Sequence, residues 1–248
     1  MTINGWDIAS ADARQWNVTP GLHSLSNDSE WVRGSPIPTF FANDLGFKPL
    51  TVTLLIKGDR DRQAILHRCS EILSHLIDPA ELVLDDFDHK FFGILTKHTL
   101  AENAMSVNAL KYNRAAKLTL EFNGYEYVDD VDPITVTGST IMLINNNGNA
   151  LTPATITITP QIGAASLVIT GICRDRKTLE DFPVTIRNLE TGKPVVLDGE
   201  TALFTKGGVL APNDIIIWEL PTLLPGENRI TINNSGTEVK VGFRPRFM

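Results

Sequence analysis

The sequence predicts a mainly-β chain in two parts with one prominent helix, and three observations carry that reading. Short runs rich in Val, Ile and Thr recur along the chain and are punctuated by 14 Pro and 18 Gly, the pattern of many strands and turns. One segment, residues 59–77, spaces its apolar residues for a helix. Near residue 133 an acidic stretch ending in Asp132-Pro133 divides a mixed first part, 1–133, from a second part, 134–248, of almost pure strand character. A length of 248 residues suits one large domain or two of ordinary size.

In the first fifty residues, Trp6, Ile8, Trp16, Val18, Leu22, Leu25, Trp31 and Val32 are scattered among Gly, Asn, Ser and Pro, which predicts short strands and turns. Gly34-Ser35-Pro36-Ile37-Pro38 forbids helix and belongs on an edge or in a loop. Residues 50–56 are a strand by their β-branched content. In the helix, Ile65, Cys69, Ile72, Leu73 and Leu76 form one stripe, and Arg62, Arg68, Glu71 and Ser74 fall outside it. Asp59 is the expected cap, Asp61 favours the first turn, and Asp78-Pro79 ends the helix. Residues 81–85 and 90–96 read as paired strands around Asp86-Phe87-Asp88-His89. Residues 116–122 alternate Leu118, Leu120 and Phe122 with Lys117, Thr119 and Glu121, giving one buried and one wet face.

Beyond 133, strand-like runs follow at 140–144, 154–159, 167–172, 184–189, 195–197, 215–220, 228–232 and 239–243. Turn sequences at 145–148, 190–192, 225–226 and 233–236 separate them. Ile230 and Ile232, then Val239, Val241 and Phe243, alternate with polar or small residues and read as a closing hairpin. Strands at this regular spacing predict a β-sandwich. The sequence has no fixed-period repeat and no low-complexity tract.

Composition narrows the function classes. Hydrophobic residues at 42% and charged residues at 21% are ordinary for a globular chain. The net charge is −7 and the pI about 5.2. The nearest cationic grouping is Arg60, Arg62 and Arg68, so the clustered cations of a surface that grips nucleic acid are missing. Cys69 falls on the helix stripe and Cys173 at a strand end, which favours two buried free thiols in a protein folding in a reducing cytoplasm. The start, MTINGWDIAS, has no signal-peptide pattern, and no apolar run reaches the roughly 20 residues of a membrane helix.

Candidate chemistry is thin. Asp85, Asp86 and Asp88 beside His89 form the densest polar cluster and could serve acid–base or cation chemistry, but Asp is also a turn former, and that reading is preferred. His23, His67, His75, His89 and His98 lack zinc spacing, and His67 with Glu71 is too little for a metal. No nucleophile elbow, phosphate loop or Cys-x-x-Cys occurs, and Lys206-Gly207-Gly208 reads as a turn. Asp129, Asp130 and Asp132 read as a solvated linker. Trp218-Glu219 invites a sugar-stacking reading, but a core Trp is preferred. No catalytic, cofactor or metal residue is assigned.

The order of features resembles one family along nearly the full chain, the distal tail proteins of siphophages, chiefly those infecting Gram-positive bacteria. The resembling pieces are Asn4-Gly5-Trp6-Asp7-Ile8, the strand–Gly58-Asp59-Arg60–helix passage at 50–77, Leu82-Val83-Leu84-Asp85-Asp86, and 118–122 running into the acidic linker. In the second part they are 145–148, 152–158, and most specifically 223–232 followed by 239–247.

That resemblance implies a mainly-β fold: an N-terminal β-sandwich or barrel-like domain with one helix, and a C-terminal galectin-like β-sandwich. It implies a non-enzymatic virion protein at the distal end of the tail, assembled in the host cytoplasm into a hexameric ring. The ring joins the tail tube protein to a tail-associated tip protein, and DNA passes through it without being held. In some relatives a long arm on the outer domain holds receptor-binding proteins; residues 134–248 barely suffice for the sandwich, which argues against such an arm. The alternative is a module binding cell-wall saccharide, which an exposed aromatic platform with nearby amides would favour. A cell-wall hydrolase would need two carboxylates in a cleft.

Overall fold

The computed structural model describes residues 1–23, 25–30, 39–59, 62–102, 114–129, 132–175 and 180–247. Trp31, Val32, the 34–38 segment, Arg60, Asp61 and Asp130 therefore lie outside the described residues. The chain forms two compact units, Met1–Tyr127 and Val128–Phe247.

The first unit contains, in order, β1 (Thr2–Ile3), β2 (Trp6–Asp7), β3 (Ala13–Pro20), β4 (Leu25–Glu30), β5 (Thr39–Leu45), β6 (Lys48–Asp59), α1 (Arg62–Ser74), β7 (Ala80–Val83), β8 (Lys90–Glu102) and β9 (Arg114–Tyr127). An antiparallel sheet runs β2-β1-β7-β8-β9-β6-β3, and β4 pairs with β5 in a separate ribbon. Period-two patterning explains its inner face: Leu50, Val52, Leu54 and Ile56 of β6 lie beside Leu118, Leu120 and Phe122 of β9, all buried. Thr51, Thr53 and Thr119 alternate with them. The expected strand pair before and after Asp86 is present as β7 against β8.

The helix packs Ile65, Cys69, Ile72 and Leu76 into this core, with Leu73 partly buried against it. Its last turn tightens: His75 N–H donates to the Ile72 carbonyl and Leu76 N–H to the Leu73 carbonyl, the i to i+3 pattern of a closing turn. The regular helix therefore stops at Ser74, and Ile77 is exposed. Asp59 ends β6, its backbone paired with Arg114; its expected capping side chain, like Arg60 and Asp61, lies outside the described residues.

The end strand β3 also reaches the segment beyond β7, the third strand from the other end of the sheet. Gln15 on β3 donates from Nε2 to the Asp85 carbonyl, 3.1 Å, just beyond β7. Asp85 N–H donates back to Gln15 Oε1, 3.0 Å. This bridge gives the unit its barrel-like character.

The second unit contains β10 (Ile134–Thr137), β11 (Ile141–Asn146), β12 (Thr152–Pro160), β13 (Ala164–Arg174), β14 (Asp181–Leu189), β15 (Val195–Asp198), β16 (Leu203–Lys206), β17 (Val209–Leu210), β18 (Ile215–Ile216), β19 (Thr222–Leu223), β20 (Gly226–Ile232) and β21 (Thr237–Phe243). One sheet runs β10-β21-β12-β15-β16-β17, with β19 beside β12; the other runs β11-β20-β13-β14-β18. Ile156, Ile158, Val239 and Val241 of the first sheet and Leu167, Ile169, Val184, Ile186, Ile230 and Ile232 of the second form one buried cluster. The unit is a β-sandwich, as expected.

One local expectation is corrected. β20 and β21 are not a hairpin: β20 pairs with β11 and β13, whereas β21 pairs with β10 and β12. Their connection crosses between sheets, so Ile230 and Val241 share the core from opposite layers. Alternation specifies an inward face equally well for a hairpin and for a crossing.

Candidate interaction surfaces

The polar cluster singled out in the sequence is spent on a turn. Asp85, Asp86 and Asp88 are exposed in the connection from β7 to β8, and Asp86 has φ +64°, a left-handed conformation that Asp tolerates. Asp85 Oδ1 also lies 2.6 Å from the Met1 amine. His89 Nδ1 is 3.6 Å from Glu126 Oε2, whose carboxylate is held at 2.9 Å by Lys48 Nζ. Among the described residues no three His, Cys, Asp or Glu side chains gather to hold a metal.

The other histidines are dispersed. His75 stacks on Trp6 with ring centroids 4.2 Å apart and planes 16° apart, and His23 Nδ1 lies 2.6 Å from the Gly46 carbonyl oxygen. His67 and His98 are exposed. Neither cysteine is in a disulfide, and both are buried. Burial, reinforced by the charge of Glu219, pushes the Cys173 thiol up to about 12. Gly207 and Gly208 form the turn between β16 and β17, both at positive φ.

Sequence reasoning missed a buried polar network in the second unit. Asn228, fully buried, accepts from Leu224 N–H at 2.8 Å and from Arg174 at 3.1 Å, and donates to the carbonyls of Leu224 and Gly226 at 2.8 and 3.0 Å. Asn146, also buried, donates to the Leu224 carbonyl at 3.3 Å and the Thr152 hydroxyl at 3.1 Å, and accepts from Gly148 N–H at 3.0 Å. Thr152 in turn accepts from Arg246 N–H. The segments 145–148, 152–158 and 223–232, separate pieces of the family resemblance, thus meet around the Asn146 side chain. Asn146 was legible only as a turn former and Asn228 only as the first residue of a strand, since a side chain's hydrogen bonds to remote backbone leave no local pattern.

Trp218 corrects a second expectation. It is 75% exposed, not a core residue, because it follows the two-residue edge strand β18 instead of lying within a paired strand. It lines an open groove of about 690 Å³ with Leu203, Phe204, Leu210, Pro212 and Ile216. Every side chain lining this groove is apolar, so the amides that would accompany a sugar-stacking platform are not among them. In the first unit, Trp16 is half-exposed at a bulge of the edge strand β3, with Arg14 and Lys117 over its ring at 5.8 and 5.1 Å.

Two β-rich units, a sheet with one packed helix followed by a sandwich, with polar side chains holding turns and offering exposed aromatics on sheet edges, define a structural type of β protein. That is the fold of the Dit (gp 19.1) protein of SPP1, described as a paradigm of the hub adsorption apparatus in phages infecting Gram-positive bacteria. The match covers 99% of this chain and 98% of that one, with a TM-score of 0.75 and 14% identity. Chains of the phage P2 baseplate, in its activated conformations with Ca and with Sr, align over 96% of this chain and 92% of theirs at 10% identity, with TM-scores of 0.46 and 0.45. No protein-family model and no curated protein matches the sequence.

Proposed function

We propose that the chain is a structural protein of a phage tail tip, a distal tail protein that closes into a hexameric ring between the tail tube and the host-adsorption apparatus. The observation that carries this reading is the fold: both units match the SPP1 protein end to end, in the same order, at only 14% identity. A shared two-unit architecture at that sequence distance supports a shared architectural task, although fold alone does not imply function.

Physical chemistry agrees with it. A head-to-tail contact that closes makes a cyclic oligomer, and β2 ends the first unit's sheet as an edge at which copies can meet. A net charge of −7 suits a ring through which DNA passes without being held. A second reading, direct binding of cell-wall saccharide by the second unit, draws on the exposed Trp218; the apolar lining of its groove speaks against it.

Electron microscopy with mass determination on the full chain at high concentration tests the proposal. Rings of six copies with a central hole are expected. A chain that stays monomeric, both alone and when mixed with the tail tube protein, overturns it.

A further inference from the structure

We propose that the apolar groove between the edge strands β17 and β18 of the second unit docks an extended segment of a partner protein, which adds a strand to a sheet edge and seats bulky apolar side chains against Leu210 and Trp218. The inference goes beyond the ring reading and stands on the second unit alone.

The groove's chemistry selects the class of ligand. With apolar side chains along about 690 Å³, a hydroxyl-rich sugar entering it would lose water and find the Trp218 indole N–H as its one side-chain hydrogen-bonding partner. Apolar side chains lose nothing comparable, and Trp is among the residue types most enriched at anchor points for protein partners.

Topology selects an extended backbone. β17 is the last strand of one sheet and β18 the last of the other, and neither has a further strand beside it among the described residues. Such edges are templates for strand addition, in which the backbone supplies the hydrogen bonds and alternate side chains enter the adjoining pockets. A segment with apolar residues at i and i+2 presents both to one face.

Area selects a segment over a second copy of this chain. Trp218 is 75% exposed, Leu210 62%, Leu203 48% and Ile216 40%, together on the order of 400 Å² of apolar surface. That is the size of patch that is often functional on a monomer. It is about half of the roughly 800 Å² per partner that a stable complex of two globular chains needs.

Selection of random short peptides displayed on a carrier against the full-length chain, followed by titration of the selected peptides, tests the proposal. The enriched peptides are expected to carry two apolar residues at i and i+2. Trp218→Ala and Leu210→Asp should each weaken their binding at least tenfold, while Trp16→Ala leaves it unchanged. Both groove variants alter exposed side chains, and wild-type circular dichroism and melting will confirm that they fold. N-methylation of alternate peptide nitrogens should abolish binding in one phase and spare it in the other, the mark of strand addition. The proposal is overturned by peptides that bind Leu210→Asp as well as wild type. It is equally overturned if N-acetylglucosamine oligomers, and not peptides, shield Trp218 from iodide quenching. Concentration-dependent dimerisation abolished by Leu210→Asp overturns it in favour of a second copy.

Discussion

Gln15 and Asp85, 70 positions apart, are joined by two reciprocal hydrogen bonds in which a side-chain amide takes the place of a strand backbone. The Gln15 amide uses one N–H and its carbonyl oxygen, on one planar group, as the donor and acceptor pair that a peptide unit presents. The free side of β3 is thereby tied to the segment leaving β7, at the opposite half of the sheet order. The same strand carries Trp16 at its bulge, so the amide also fixes the stretch that presents the first unit's exposed indole.

Gln15→Ala removes both bonds while leaving the core untouched. Because the bridge is exposed to solvent, the loss should be modest, about 1 kcal/mol. Hydrogen exchange reads it directly: the Asp85 amide should exchange faster in the variant, with the amides in the middle of β6 unaffected. Unchanged protection of Asp85 would mean that the bridge contributes nothing to closure.

Asn228 in the second unit should matter more, since its side chain is fully buried and makes four hydrogen bonds with Leu224, Gly226 and Arg174. Asn228→Ala removes the partner of Leu224 N–H and of the Gly226 carbonyl at part-buried positions, and the loss of these bonds with the buried amide should cost about 1–3 kcal/mol. Asn228→Asp keeps the acceptor but turns an oxygen toward two carbonyls, so it should not rescue. Chemical denaturation of the three proteins checks both statements; an Asp variant as stable as wild type would refute the assigned amide orientation.

These residues mark where the sequence was legible and where it was not. Leu118, Leu120 and Phe122 declared their buried face through period-two alternation, and Ile65, Cys69 and Ile72 declared theirs through helical spacing; both patterns are local. The β20–β21 misreading arose because Ile230 and Val241 show the same alternation whether their strands are neighbours or face each other across a core. Asn146 looked like a turn former and Asn228 like the start of a strand, because their burial is decided by Leu224, remote from Asn146 in sequence and touched by both. Trp218 looked like core because aromatic residues usually are; its exposure follows from β18 being short and at an edge. The surfaces offered for function are thus the least legible part, since nothing local in a sequence says which apolar residue is left without cover.

Asp198 supplies a pH dependence. Burial by itself would raise its carboxyl, but hydrogen bonds from the Thr201 hydroxyl, the N–H groups of Glu200 and Thr201, and the Thr155 hydroxyl hold it below the ordinary 3.8. A carboxyl lowered in the folded state adds stability that is complete above its unfolded value and is lost as pH falls through its folded value. Asp198→Asn should therefore be less stable than wild type at neutral pH, with the gap closing on acidification below 3.8. Melting curves of the pair across that range test this, and a gap independent of pH would show that the turn is held by shape alone.

Gly171 is the backbone position where substitution should be most disruptive. It lies where the β13–β14 register shifts between Ile169 and Cys173, with φ +88°. An added Cβ would sit 2.1 Å from the Arg229 carbonyl oxygen on β20. The left-handed conformation alone costs a substituted residue about 1–3 kcal/mol, and the contact forces β13 away from β20 in the middle of the sandwich. Gly171→Ala should therefore cost the second unit about 3 kcal/mol or more. Its core then loosens, and Cys173, two residues on and inert in the native protein because it is buried with a raised thiol, should react faster with a thiol reagent. Cys69, in the first unit, serves as the internal reference and should keep its native rate. Equal labelling of Cys173 in wild type and variant, with unchanged melting, would show that β13 accommodates the methyl group by a shift too small to open the core.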